Sequence, residues 1–306
     1  MLNIQEVYEK YFTVVYRYLL SLSHNTHIAE ELTQETFFKA LKKLDEFRGE
    51  CDLRVWLCQI SKNTYYDYLK KNNIQIVIHA ANPNPVKNIL DKKELMFEDS
   101  MRIFMNFYNA MDCFEYMYIL GSGAEYDKSK EIHMITENEI GRSIPYDGYG
   151  LAKYIMNELA QKSEKICNLR LFACYGPTDH SSKFITHAIR CCMANEDITI
   201  RQNCYFDYMY VADLVKILEY FIYHIPKWHS YNICTAKRYS LKEIAEIVKE
   251  QMKTNNKIVF QKNGWNNEYT GSNQRLLEEI GDYSFVNIYD GIAMQIEYER
   301  NKDIDA

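Results

Sequence analysis

Residues 69–85 read LKKNNIQIVIHAANPNP, and the architecture of the chain turns on this stretch. Upstream of it, residues 5 to 71 hold one glycine, Gly49, and no proline, as a helical segment requires. From Ile74 a β-branched apolar run closes in the turn-rich NPNP, so helix gives way to a buried strand.

Working back, three apolar stripes recur at helical spacing: Tyr8, Phe12, Val15, Leu19 and Leu22; then Ile28, Leu32, Phe37, Leu41 and Leu44; then Leu53, Trp56, Leu57, Ile60, Tyr65 and Leu69. The polar SHNTH and the glycine-bearing FRGECD separate them, which predicts a compact bundle of three helices. Working forward, a helical stretch lies around residues 93 to 111, followed by the apolar run EYMYILGSG, a helix from about Gly148 and the strand-like NLRLFACYGP. Strands alternating with helices imply parallel βαβ units. The expected organisation is an all-α module over residues 1–72, then an α/β part over 73–306.

The 306 residues suffice for two domains with real cores. Hydrophobic residues make up 47% and charged residues 25%, which excludes a disordered or membrane class. No apolar run approaches the roughly 18 residues of a membrane span, and MLNIQEVYEKYF lacks the build of an export signal. The nine cysteines are scattered, and the one close pair, Cys191 and Cys192, is adjacent, not at a metal-ligand spacing. These features predict a cytoplasmic protein with reduced thiols and no metal. A net charge of −6 argues against a broadly basic nucleic-acid surface and leaves room for a local basic face.

The run AEELTQETFFKALKKLDEFRGECDLRVWLCQISKNTYYDYLKKN resembles region 2 of the extracytoplasmic-function class of sigma-70 family RNA polymerase sigma factors, a likeness that spans residues 8 to 72. In that family an acidic-Leu-x-Gln-Glu-x-Phe run docks on the polymerase core. The resemblance assigns this role to Glu31, Leu32, Gln34, Glu35 and Phe37. The Phe-Arg-Gly turn at Phe47, Arg48 and Gly49 and the helix with Trp56, Leu57, Ile60, Asn63 and Asp67 match the part that opens the promoter −10 element. Opening DNA needs stacking platforms and cations. Arg54, Trp56, Lys62, Asn63, Tyr66 and Lys70 are therefore the candidate DNA-binding residues. Nothing after Lys71 resembles the family's second helical domain, which reads the −35 element, so promoter choice is expected to be weakened.

From Ile74 to about Ala293 the chain resembles the extended short-chain dehydrogenase/reductase family of NAD-dependent epimerases and dehydratases, entering at the middle of their fold. IVIHAAN looks like the fourth strand of the dinucleotide sheet, which implies cofactor contacts at His79, Ala80 and Ala81. YILGSGAEYD looks like the next strand and ends in the candidate catalytic Ser122, while YGLAK carries a Tyr-x-x-x-Lys pair, Tyr149 and Lys153. Four apart on a helix, these two share one face, so the ammonium is expected to lower the phenol pKa and hold the ribose of NAD or NADP. The same spacing recurs at Tyr66 with Lys70, Tyr223 with Lys227 and Tyr298 with Lys302, which read as surface coincidences.

NLRLFACYGP and FDYMYVADL resemble two later family segments, with Ala173 in place of the usual asparagine and Phe206 where many relatives place an arginine for the substrate diphosphate; Lys183 and Arg201 are the cations that would compensate. YTGSNQRLLEEIG resembles the segment covering the substrate pocket. The family's Gly-rich phosphate loop has no counterpart, because no glycine lies between Gly49 and Gly121.

The expected fold is therefore a helical module followed by an incomplete Rossmann-type parallel sheet with a small C-terminal substrate-binding region, the Ile74 strand carrying a free edge. Three functional expectations stand together. One is a sigma-like module, binding polymerase core and promoter DNA, joined to an α/β domain impaired in cofactor binding and used for homodimerisation or ligand sensing. Another is an active NAD(P)-dependent epimerase, dehydratase or reductase on a sugar or nucleotide sugar, using Ser122, Tyr149 and Lys153. The third is an accidental gene fusion without selected joint function.

Overall fold

Three helices open the chain: α1 (Ile4–Ser23), α2 (Thr26–Lys43) and α3 (Leu53–Lys71). The computed structural model describes residues 4–44, 47–49, 51–83 and 95–304. His24 takes a positive φ and ends the first helix, after which the Asn25 side chain accepts the Ile28 N–H at 3.1 Å and starts α2. Asp52 does the same for α3, accepting from the Arg54 N–H at 2.7 Å. Val15, Leu19, Ala29, Leu32, Phe37, Ala40, Leu57 and Leu69 are buried and form the bundle core. The stripes are narrower than their spacing implied: Leu41 is 51% exposed, and Tyr8 is also largely outside the core. In FRGECD, Glu50 lies outside the described residues.

The alternation of strand and helix begins at β1 (Ile76–His79) and continues with α4 (Met96–Tyr108) and β2 (Tyr116–Ser122). After β3 (Ile132–Ile135), α5 (Gly148–Ala160), β4 (Ile166–Leu171) and β5 (Ala173–Tyr175) come α6 (Phe184–Met193), β6 (Ile198–Ile200), β7 (Tyr205–Phe206) and β8 (Tyr208–Tyr210). The remainder is α7 (Val211–Tyr223), β9 (Ser230–Ile233), β10 (Tyr239–Ser240), α8 (Leu241–Met252), β11 (Ile258–Phe260), β12 (Tyr269–Gly271), α9 (Gln274–Ile280) and α10 (Ile288–Ile304). The chain divides into two compact units, Met1–Val77 with Arg102–Met117, and Ile78–Met101 with Tyr118–Ala306.

Four strands form one sheet in the order β1-β2-β4-β9, with β4 and β9 parallel through Leu169 opposite Tyr231. The fold is that of an incomplete Rossmann-type parallel sheet following a helical module. β1 stands at the edge of the sheet and is not the buried strand its composition suggested, since Ile78 is 38% exposed. Of the NPNP turn that follows, Asn84 and Pro85 lie outside the described residues. The NLRLFACYGP run is two strands, broken at Phe172 where the chain leaves the main sheet to pair β5 with β8. A second sheet, β10-β7-β12-β3, brings Tyr269 of β12 opposite both Phe206 and Ile132. Behind it α6, α8 and α10 bury Ile189, Ile244, Val248 and Ile292.

Candidate functional site

Strand β2 delivers Ser122 to the point where a tight turn begins. The Ser122 hydroxyl accepts the Ala124 N–H at 3.2 Å, and its own N–H donates to Glu125 Oε1 at 2.9 Å, a reciprocal cap that fixes the serine against the following turn. Glu125 is wholly buried, as is its partner Arg170 of β4, whose Nε donates to Glu125 Oε2 at 2.7 Å. Arg170 also donates to the Tyr126 hydroxyl, to Asn232 Oδ1 and to Asn157 Oδ1, and Asn168 Nδ2 donates to Glu125. A side chain at Gly121 would strike Asn168 and Glu125, so this strand position admits only glycine. Burial pulls the Arg170 pKa down, but Glu125 outweighs it and the guanidinium stays charged.

Asp147 caps α5 by accepting the Gly150 N–H at 3.1 Å and places Tyr149 and Lys153 on one face. Lys153 is only 5% exposed. Its ammonium donates to the Leu120 carbonyl at 2.7 Å and lies 6.0 Å from the Tyr149 ring centre. The expected lowering of the phenol pKa is not what this arrangement produces. Burial drives the Tyr149 phenol upward, Ser122 opposes it through a hydrogen bond, and Glu125 and Asp147 add to the rise. Lys153 is itself pushed down by burial, against the pull of Glu125.

Ser122 and Tyr149 open onto a cavity of about 430 Å³, walled by Ala173, Lys183, Phe206 and Tyr269 among others. The two positions that departed from the family pattern, Ala173 and Phe206, thus stand in the cavity wall. Lys183 is exposed at the cavity, and Arg201 is exposed on β6's flank and does not line it. Asp179 also lines the cavity, and burial raises its carboxyl pKa more than Lys183 lowers it. His79 is buried at the end of β1, while Ala80 is exposed and Ala81 half-buried. Tyr223, of the surface Tyr-x-x-x-Lys pairs, is 76% exposed.

These residues fit the ribose-and-nicotinamide end of a dinucleotide and not its other end. Among the described residues no strand and glycine turn precede β1 to bring backbone N–H groups to a pyrophosphate.

Asp207, beside Phe206, turns inward and accepts from the Thr235 N–H at 2.9 Å and the Thr235 hydroxyl at 2.7 Å. Burial nevertheless raises its carboxyl from the ordinary 3.8 to about 6. The folded state therefore holds this proton more tightly than the unfolded chain. Its contribution to stability is fully present below pH ~4 and is lost as pH rises through ~6, a change on the order of 3 kcal/mol. Denaturant midpoints between pH 4 and 7 should fall along this window in the native protein, and Asp207→Asn should flatten the decline.

On the helical module, Glu31, Gln34 and Glu35 are exposed along one side of α2. Leu32 and Phe37, expected to touch polymerase, are instead bundle core. Their place on the outer face is taken by Phe38, 57% exposed, and Leu41, one and two turns beyond Gln34.

On α3, Arg54, Asn63 and Lys70 are exposed, and Lys62 lies 5.5 Å from the Tyr66 ring centre. Trp56 is half-buried against Phe47, ring centres 5.1 Å apart. Tyr66 is half-buried, its hydroxyl donates to the Asn106 carbonyl at 2.9 Å, and burial raises its pKa to about 12.

The chain matches the NAD dependent epimerase/dehydratase family over residues 13–234 and belongs to that family. Its fold is similar to that of the UDP-glucose 4-epimerase of Thermotoga maritima solved with UDP-glucose, with 16% identity, a TM-score of 0.67, and 78% of this chain and 82% of that one covered. It is likewise similar to the dTDP-glucose 4,6-dehydratase of Bacillus anthracis in complex with NAD, with 12% identity, a TM-score of 0.66, and 79% and 78% covered.

The N-terminal part is similar to other proteins. It is 35% identical over 77 residues to the ECF RNA polymerase sigma factor SigM of Bacillus subtilis, covering 25% of this chain and 47% of that protein. It is 33% identical over 70 residues to the RNA polymerase sigma factor YlaC of the same organism, covering 23% and 40%. The chain spans less than half the length of these curated relatives. Among the described residues no helix is long and apolar enough to cross a membrane.

Proposed function

We propose that residues 1–72 are a sigma region 2-like module that docks on the RNA polymerase core, and that residues 73–306 are an epimerase/dehydratase-type domain without a complete dinucleotide site. The reading rests above all on the outer face of α2, where Glu31, Gln34 and Glu35 flank the exposed Phe38 and Leu41. Charged rim residues around a solvent-facing aromatic make the anatomy of a docking site. Promoter contact falls to Arg54, Lys62, Asn63 and Lys70 of α3, with Trp56, and would take place in the cytoplasm with weak sequence choice. Retention of purified core polymerase on the immobilised full-length protein tests this, and a protein that retains none would end the reading.

A second reading is favoured by the cavity at Ser122 and Tyr149. Here the α/β part works as an epimerase, dehydratase or reductase on a sugar or nucleotide sugar, with Lys153 and the turn His79, Ala80 and Ala81 toward NAD or NADP. Bound cofactor would supply hydride transfer. Ser122 and Tyr149 would hold the ligand oxygen between them, with the Tyr149 proton available at its phenol oxygen. Turnover would be absent or very low until another chain completed the dinucleotide site.

A further inference from the structure

Lys62, Asn63, Tyr66 and Lys70 follow one another at helical spacing and share one face of α3. Of these four, Tyr66 is the one able to stack on a base, and the Lys62 ammonium lies 5.5 Å from its ring centre. The Tyr66–Lys70 end of this face is held by chain from beyond β1. The Tyr66 hydroxyl donates to the Asn106 carbonyl, near the end of α4, at 2.9 Å. After α4 comes the short turn Met111–Cys113, and around it Ala110, Cys113 and Phe114 are buried. The Cys113 thiol stands close enough to feel Lys70 and Asp67 of α3 and to act on Tyr66. Its chain is pinned just beyond, where the Gln75 carbonyl accepts the Glu115 N–H at 2.9 Å and the Tyr116 N–H at 3.0 Å. Arg102–Met117 accordingly form one compact unit with the three N-terminal helices.

We infer that residues 106–113 are an autoinhibitory cover, which competes with single-stranded DNA for the Tyr66–Lys70 end of α3. The inference rests on the reading of α3 as the promoter-contacting helix. A base stacking on Tyr66 beside a phosphate on Lys70 needs the ground that Asn106 and Cys113 hold. Arg54, Asn63 and Lys70 stay exposed, so the cover weakens DNA binding without abolishing it. Because cover and DNA exclude each other, whatever loosens one favours the other, and the coupling is reciprocal.

The probe is a fluorescein-labelled single-stranded DNA of about 12 nucleotides, bound to the full-length protein at one fixed low salt concentration and followed by anisotropy. Tyr66→Phe keeps the ring for stacking and removes the bond to Asn106. Its Kd should fall about fivefold below the native value, the weight of one net hydrogen bond lost from the cover. Thermal melting should show that the helices remain folded. In the converse experiment, saturating DNA should speed the modification of Cys113 by an aromatic disulfide reagent roughly tenfold, with Cys113→Ser identifying its share of the signal. A Kd for Tyr66→Phe at or above the native value would overturn the inference and leave the promoter reading standing, as would a Cys113 rate that DNA leaves unchanged or slows. If neither the native protein nor Tyr66→Phe binds the DNA at about 0.1 mM protein, free or on core polymerase, the promoter reading and the inference fall together.

Discussion

Glu125→Gln should lower the stability of the α/β part by about 3–5 kcal/mol, because it leaves Arg170 as an uncompensated charge in a site sealed from water. Both side chains have no exposure, and the guanidinium has its remaining donors on Tyr126, Asn157 and Asn232, so it cannot swing out to solvent. Replacing both members, Glu125→Leu with Arg170→Met, should cost clearly less than the single change, since an apolar pair removes the desolvation burden of both ions. Urea denaturation followed by circular dichroism measures this. A single variant within about 1 kcal/mol of the native protein would mean that water reaches the pair. Because Glu125 also holds the Ser122 N–H, the same variant should loosen the candidate site.

The second large effect concerns α2. Glu35→Lys combined with Phe38→Ala should weaken binding to core polymerase about a hundredfold, or about 2.7 kcal/mol, as expected when an aromatic anchor and a charged neighbour leave one docking face. Neither side chain is in the bundle core, so the melting temperature should hardly move; the Glu35 to Lys39 pair at 3.0 Å is exposed and contributes little. Phe37→Ala makes the contrast. It deletes a buried ring and should destabilise the module by about 3–5 kcal/mol, so any loss of polymerase binding there reports unfolding. Binding by the Glu35→Lys, Phe38→Ala protein equal to that of the native chain would remove the docking face from the account.

How far the sequence reveals this molecule depends on the range of the interaction involved. Local spacing sufficed for α1 to α3 and for the change to strand after Ile74, because helical and extended periods leave different apolar patterns over a few turns. The same patterns misplaced Leu41. A stripe marks which side of a helix is apolar, and it does not tell how much of that side its neighbours cover. Ser122 and Tyr149 were singled out from the motifs around them, and the structure opens both onto one cavity. The direction of the Tyr149 shift was not legible, because it depends first on how deeply the fold buries the phenol. Arg170 and Glu125 drew no notice in the sequence, and their burial as a pair 45 residues apart follows only from how β2 and β4 meet in the sheet. The partner of the Tyr66 hydroxyl was hidden for a similar reason, since the Asn106 carbonyl that takes it is 40 residues downstream.

The central claim is that the α/β part carries the residues for one end of a dinucleotide and lacks the frame for the other. Fluorescence titration of the full-length protein with NADH and NADPH, with Lys153→Ala as control, tests it most directly. The account predicts no saturable binding up to about 1 mM cofactor and no difference between the native protein and the control. Micromolar binding that disappears in Lys153→Ala would contradict it and show that a complete dinucleotide site is assembled after all.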